Sequence, residues 1–253
     1  MTPVVRTEAD VQARRVDGDS VTEFELFGPG PFAEAMTQRV LRCRPGRSLP
    51  RRDDRCDQLL YVLSGSGRIE VEDRSEALAP GTAALVPAGK SWTITADREL
   101  SLANTSVPAP PGPRATALHR APGPWSLTRH LGAQEKERAT SDREFEVLFS
   151  ASTGSAGATQ FVGYIPPSGA PEHYHLYEEF CVILRGAGAV NLDGGRHELT
   201  VGSTFHILPG LLHSVENTGT DDLWLLGVFR PAGSAAAAYY PDGRPAPNNR
   251  DEE

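Results

Sequence analysis

Long apolar runs, paired cysteines and basic clusters are all missing from this 253-residue chain, and each absence removes a class of function. No segment approaches the roughly 20 consecutive apolar residues that a membrane-spanning helix needs. The stretch after Met1 carries Glu8, Asp10, Arg14 and Arg15 instead of an apolar signal-peptide core. A cytoplasmic protein without a membrane partner is therefore expected. Its three cysteines, Cys43, Cys56 and Cys181, are an odd number without CxxC spacing, which fits reduced thiols. Lysine is nearly absent, with only Lys90 and Lys136, and the formal net charge is -8. With no Lys/Arg-rich run against that charge, a phosphate-tracking surface is not expected, and neither is a nucleic-acid partner. A Ser-His-Asp arrangement, a phosphate loop and a dinucleotide fingerprint are also missing.

What the chain does have is a series of short apolar or alternating segments broken by glycine and proline. Residues 24–27, 37–42, 58–63, 68–71, 82–86 and 92–95 form the series in the first half, and it resumes with 145–149 and 160–165 in the second. Their recurrence, with turn residues between them, predicts an all-β sandwich or barrel. Residues 107–113 and 121–124 hold too many prolines for a helix or a central strand, which places a linker there. Residues 132–142 are charged and read as a short helical turn. Residues 1–20 are polar and irregular, an arm either mobile or laid against the other domain.

The densest chemistry lies between His173 and Asn217. His173 and His175 flank Tyr174, Glu179 follows four residues later, Gly186 seven beyond that, and Gly210-Leu-Leu-His213-Ser-Val-Glu-Asn217 closes the stretch. Alternate side chains of a strand face the same way, so His173 and His175 share a face, and His213 joins them from a neighbouring strand after the Pro209-Gly210 turn. Three neutral nitrogens and one carboxylate suit one divalent first-row ion, and an octahedral ion keeps two positions open for water or substrate. A lone histidine is more often a hydrogen-bonded structural residue, and His119, His130, His197 and His206 are read that way. The order His-x-His, three residues, Glu, six residues, Gly, then Gly, two residues, His, three residues, Asn resembles the paired motifs of the cupin superfamily. Cupins are small β-barrels whose three His and one Glu usually hold a metal. This chain departs from the family pattern at two turns, with Pro167 where Gly is usual and Leu208 in place of Pro, although Pro209 is adjacent.

The halves repeat at an offset of 121 residues. Gly65 falls on Gly186, Gly67 on Gly188, Gly81 on Gly202 and Gly89 on Gly210, while Gly46 falls on Pro167. The resemblance then implies two tandem cupin barrels of the double-stranded β-helix or jelly-roll type. The domains are an arm at 1–20, an N-terminal cupin at 21–107, a Pro-rich linker at 108–142, a C-terminal cupin at 143–231 and a tail at 232–253. In the first copy the ligand positions are Arg52, Asp54, Gln58 and Trp92, so a metal is expected only in the second. An Arg52–Asp54 ion pair is the simplest use of the first two, and Arg52, Gln58 and Trp92 are an alternative lining for an anionic or aromatic ligand.

One divalent transition metal held by His173, His175, Glu179 and His213 permits several reactions. The likeness to oxygen-using cupins favours a dioxygenase with Fe, Mn or Ni acting on a small oxygen-rich molecule. A Lewis-acid role, with Zn or Co also suitable, leads to an isomerase, cyclase, lyase or hydrolase. Ureidoglycine aminohydrolase is a bicupin of that non-redox kind, with a different ligand pattern. A binding or sensor protein without turnover is the remaining class. Beside Glu179, the catalytic candidates are Tyr177 and Glu178, in the turn between ligands, and Cys181, which alternation turns inward as a small apolar wall or a thiol. Exposed sheet edges are compatible with a homodimer.

Overall fold

The computed structural model describes residues 5–29, 35–108, 125–139, 142–169 and 171–246. Most of the Pro-rich linker, with His119, lies outside the described residues, as do the ends of the arm and the tail. The chain forms two compact units, one of Met1–Thr7, Gln134–Leu148 and Thr159–Glu253, the other of Glu8–Ala133 and Phe149–Ala158. Both are built almost entirely of antiparallel strands arranged as a jelly roll.

In the first-half unit a seven-stranded sheet runs in the order Thr128–His130, Thr82–Val86, Cys56–Ser64, Leu100–Pro108, Thr37–Cys43, Val21–Phe27 and Ala13–Arg15. A smaller sheet holds Gly46–Arg47, Ser91–Ala96, Gly67–Val71 and Arg74–Leu78, and Arg51–Arg52 also pairs with Ser91–Ala96. Inward residues of these strands, among them Leu41, Leu60, Val62, Ile69, Ile94 and Leu102, form one buried cluster. The second-half unit repeats the plan, with Val5–Arg6, Thr204–Ile207, Glu178–Arg185, Leu223–Arg230, Thr159–Ile165, Glu144–Phe149 and Lys136–Arg138 in one sheet. Gly195–Leu199, Gly188–Leu192 and His213–Asn217 form the other.

The 121-residue offset survives at the level of strands and turns. Gly67–Val71 maps onto Gly188–Leu192 and Arg74–Leu78 onto Gly195–Leu199 without slippage. Gly65 and Gly186 adopt nearly the same left-handed backbone, φ +88° and +87°, a region that side chains rarely enter. A Cβ on Gly67 would strike the carbonyl of Thr95, and one on Gly188 the carbonyl of Glu216, which are themselves 121 residues apart. Duplicated glycines thus answer duplicated close approaches.

One segment differs from the sequence reading, and the arm and the tail take definite places. Residues 136–138 are a strand rather than part of a helical turn, because they pair with Glu144–Phe149 as a hairpin that Ala139 and Arg143 close by a 2.8 Å backbone bond. Within the arm, Val5 and Arg6 pair with Phe205 and Thr204, and Ala13–Arg15 pairs with Val21–Phe27. The tail also has partners, since Tyr239 bridges to both Tyr174 and Pro245.

Candidate metal centre

The site is assembled by two crossing backbone contacts. His173 and His213 exchange reciprocal N–H···O bonds of 3.0 and 2.9 Å, and Tyr174 and Tyr239 do the same at 2.9 and 3.0 Å, with their rings stacked 5.5 Å apart. His173 and His175 therefore sit on an irregular extended segment held by isolated bridges rather than in a ladder strand, as befits a stretch that follows Pro166, Pro167 and Pro171. The alternation survives, and both imidazoles point to the cavity with His213, which opens the strand His213–Asn217. All three are buried, and their ligand atoms lie within 4.8 Å of one another.

Each ring is aimed by the same device. His173 Nδ1 is 2.8 Å from the Pro171 carbonyl, His175 Nδ1 is 2.8 Å from that of Ala237, and His213 Nδ1 is 2.9 Å from that of Leu211. A carbonyl oxygen only accepts, so in each case Nδ1 carries the proton and donates. The three Nε2 lone pairs are left for a shared point. Burial pushes the imidazoles towards the neutral form: His173 is lowered to about 3, with further repulsion from His213 and His175, while His175 is lowered to about 3 and His213 to about 4. Neutral, pre-aimed imidazoles fit a divalent cation.

Glu179 lies beside them, its Oε2 3.8 Å from His175 Nε2. Burial raises this carboxyl to about 7, against a hydrogen bond from the Cys181 thiol and the charge of Arg143, both of which lower it. With imidazole and carboxyl both shifted towards neutrality, the contact is not an ion pair in the metal-free protein. A Cβ on Gly227 would overlap the Phe161 ring and stand 2.9 Å from Glu179 Oε1, so the missing side chain makes room for both.

The other candidates divide by strand face. Tyr177 stacks on His175 and Phe229, at 4.5 and 4.2 Å between ring centroids, and lines the cavity; burial holds its phenol well above the usual range. Cys181 also lines it, and burial pushes its thiol up, which leaves it a donor to Glu179 rather than a nucleophile. Glu178 is not among the lining residues. As the strand neighbour of Glu179 it faces the opposite way and bonds His206 at 2.8 Å, while His206 stacks on Phe180. Asn217 closes a turn, donating to the carbonyls of Ile165 and Asp221 at 2.8 Å each.

Three contributors escaped the sequence reading. Gly227 sits within an apolar run, Arg143 comes from the hairpin before the barrel strands, and the tail supplies the Ala237 carbonyl and the alanines at 235, 236 and 238 that help line the cavity. The cavity measures about 70 Å³. At the first copy's ligand positions, Arg52 pairs with Asp54 at 2.7 Å, and Gln58 Oε1 accepts from Asn104 and Ser106 at 3.1 and 2.8 Å.

Residues 161–229 match the cupin domain family. An uncharacterized protein of Aquifex aeolicus (strain VF5) is 33% identical over 98 residues, which cover 38% of this chain and 78% of that protein. Oxalate decarboxylase from Bacillus subtilis at pH 4.6 superposes with a TM-score of 0.72 at 14% identity, over 96% of this chain and 79% of that one. Protein YlbA from E. coli does so with a TM-score of 0.73 at 15% identity, over 89% of each chain. Likeness at these identities concerns the fold. Motif, domain match and jelly-roll architecture agree: residues 161–229 form a cupin domain.

Proposed function

We propose that this protein is a metal-dependent enzyme whose second-half barrel holds one divalent transition metal between His173, His175, His213 and Glu179, and that it acts on a small oxygen-rich molecule by dioxygenase-type chemistry. The reading rests on the three Nδ1–H···O=C bonds, which leave three Nε2 lone pairs directed at one cavity. Bound there, a redox-active ion such as Fe, Mn or Ni would supply O2 and substrate activation. The chain's own residues do the rest. Phe161, Ile207, Val215 and Leu225 keep the cavity apolar, Cys181 orients the Glu179 carboxylate, and the protonated Tyr177 phenol is placed to donate to a substrate oxygen. The cavity of about 70 Å³ favours a small substrate. That small size, and the fold shared with oxalate decarboxylase, favour a lyase as the second reading.

The test is elemental analysis of the purified protein and of His213→Ala, followed by O2 uptake and CO2 release with small organic acids. One metal per chain, lost in the variant, is the expected result. Metal content unchanged in His213→Ala would overturn the site, and CO2 release without O2 consumption would select the lyase.

A further inference from the structure

The first-half barrel, which lacks the metal ligands, keeps a cavity where its copy has them. That cavity measures about 140 Å³, against about 70 Å³ for the one at the histidines, and Gln58 and Trp92, the counterparts of Glu179 and His213, line it together with Asn104 and Ser106. These four side chains are each more than nine-tenths buried, so they are polar groups placed inside a barrel and not a solvated rim. Two residues further along the strands Cys56–Ser64 and Leu100–Pro108, Leu60 and Leu102 begin the apolar core.

Hydrogen bonds hold this lining in place and leave part of it unused. Gln58 Oε1 accepts from Asn104 Nδ2 at 3.1 Å and from Ser106 Oγ at 2.8 Å, and Ser106 Oγ accepts in turn from Arg39 Nη1 at 3.0 Å. Asn104 Oδ1 and the Trp92 indole N–H have no partner among the described residues, and neither atom is sealed from water, so the cavity presents one fixed acceptor and one fixed donor. Such a lining suits a ligand that both donates and accepts.

The charges narrow the choice. Three arginines line the cavity and each is already matched, Arg39 with Glu25 at 2.9 Å, Arg51 with Asp19 at 2.9 Å and Glu23 at 3.3 Å, and Arg52 with Asp54 at 2.7 Å. An entering anion would compete with those carboxylates for guanidiniums they already hold, and a cation would meet three guanidiniums in the wall. A neutral molecule meets neither obstacle.

We infer that this cavity is a binding site for a neutral, hydroxyl-rich small molecule of the polyol or monosaccharide class, held by the Trp92 N–H and Asn104 Oδ1. Hydroxyls fit because each is donor and acceptor in one group. Binding here is independent of the metal in the second-half barrel.

The test uses NMR of the full-length protein labelled at the tryptophan nitrogens, whose indole signals are told apart by Trp92→Phe, Trp125→Phe and Trp224→Phe. Glycerol, xylose and glucose are titrated in turn, with acetate and methylammonium as charged controls. At least one neutral probe should shift the Trp92 signal saturably while those of Trp125 and Trp224 stay in place, and neither charged probe should do so. Calorimetry with that neutral probe should show a loss of roughly tenfold in Asn104→Leu, the upper end of what one neutral hydrogen bond contributes. His213→Ala should bind it as wild type does, which separates this site from the histidine cavity. The absence of a saturable shift at Trp92 with all three neutral probes would overturn the inference, as would an equal shift with acetate or methylammonium, or an unchanged affinity in Asn104→Leu. Should Asn104→Leu fail to fold, the wild-type titration decides alone.

Discussion

Metal uptake at pH 6 should release close to one proton, and that proton should come from Glu179. Metal ligands must be deprotonated, so uptake expels whatever protons the free site holds. Imidazoles at their ordinary value near 6.5 would each be about three-quarters protonated at pH 6, and three of them would release about 2.3 protons. In this site His173 and His175 are lowered to about 3 and His213 to about 4, so they hold next to none. Glu179, raised to about 7, holds about 0.9 at that pH, where an ordinary carboxyl would hold almost nothing. The apparent affinity should accordingly rise about tenfold per pH unit below 6 and level off above 7, whereas solvent-like ligands would give a slope between two and three. Calorimetric titration of the apoprotein with Mn2+ or Zn2+ at pH 6, in buffers of different ionisation enthalpy, counts the protons. Glu179→Gln should bring the count to nearly zero. Release of two or more protons, or a count unchanged in Glu179→Gln, would refute the assignment of neutral imidazoles and a protonated carboxyl.

Two further outcomes follow from the neighbours of the ligands. Gly227→Ala forces a methyl into the Phe161 ring and against Glu179 Oε1; it should cost about 1–3 kcal/mol of stability and weaken metal binding together, as denaturant unfolding and metal titration would show. Ending the chain after Pro231 removes both the Ala237 carbonyl that fixes His175 and the Tyr239 backbone pair of Tyr174, and should lower metal affinity about 10- to 100-fold, with unaltered affinity counting against the tail's role.

The parts of this molecule that were legible in the sequence are those carried by local periodicity and spacing. Strands such as Thr82–Val86 and Thr159–Ile165 announce themselves by composition, and His173, His175 and His213 converge because alternation holds even where the ladder does not. Leu100–Pro108 was harder to see, since a strand central to its sheet carries Asn104, Thr105 and Ser106, polar residues buried through bonds to Gln58 and Gln38. Arg143 could not be found this way. Its place in the cavity depends on where the hairpin falls in the order of a seven-stranded sheet, and no local pattern encodes that order. Ala237 contributes a backbone carbonyl, which any residue type supplies, so its identity carried no signal.

The two halves differ in what surrounds position 58 and its counterpart Glu179. Position 106 of the first copy corresponds to 227 of the second. Ser106 donates to Gln58, the counterpart of Glu179, whereas Gly227 leaves open space beside Glu179 that the Phe161 ring enters. Asn104 makes a second bond to the same Gln58 oxygen, where its counterpart Leu225 is an apolar wall of the cavity. A carboxylate placed at 58 would therefore be held by two donors on the strand Leu100–Pro108, which compete with a metal for its lone pairs. Grafting the ligands alone, as Arg52→His, Asp54→His, Gln58→Glu and Trp92→His together, should leave the chain with the metal content of wild type. Adding Ser106→Gly and Asn104→Leu to the graft should raise it towards a second equivalent, read by elemental analysis against His213→Ala as background. A full second equivalent from the four ligand changes alone would show that the neighbours of position 58 play no part.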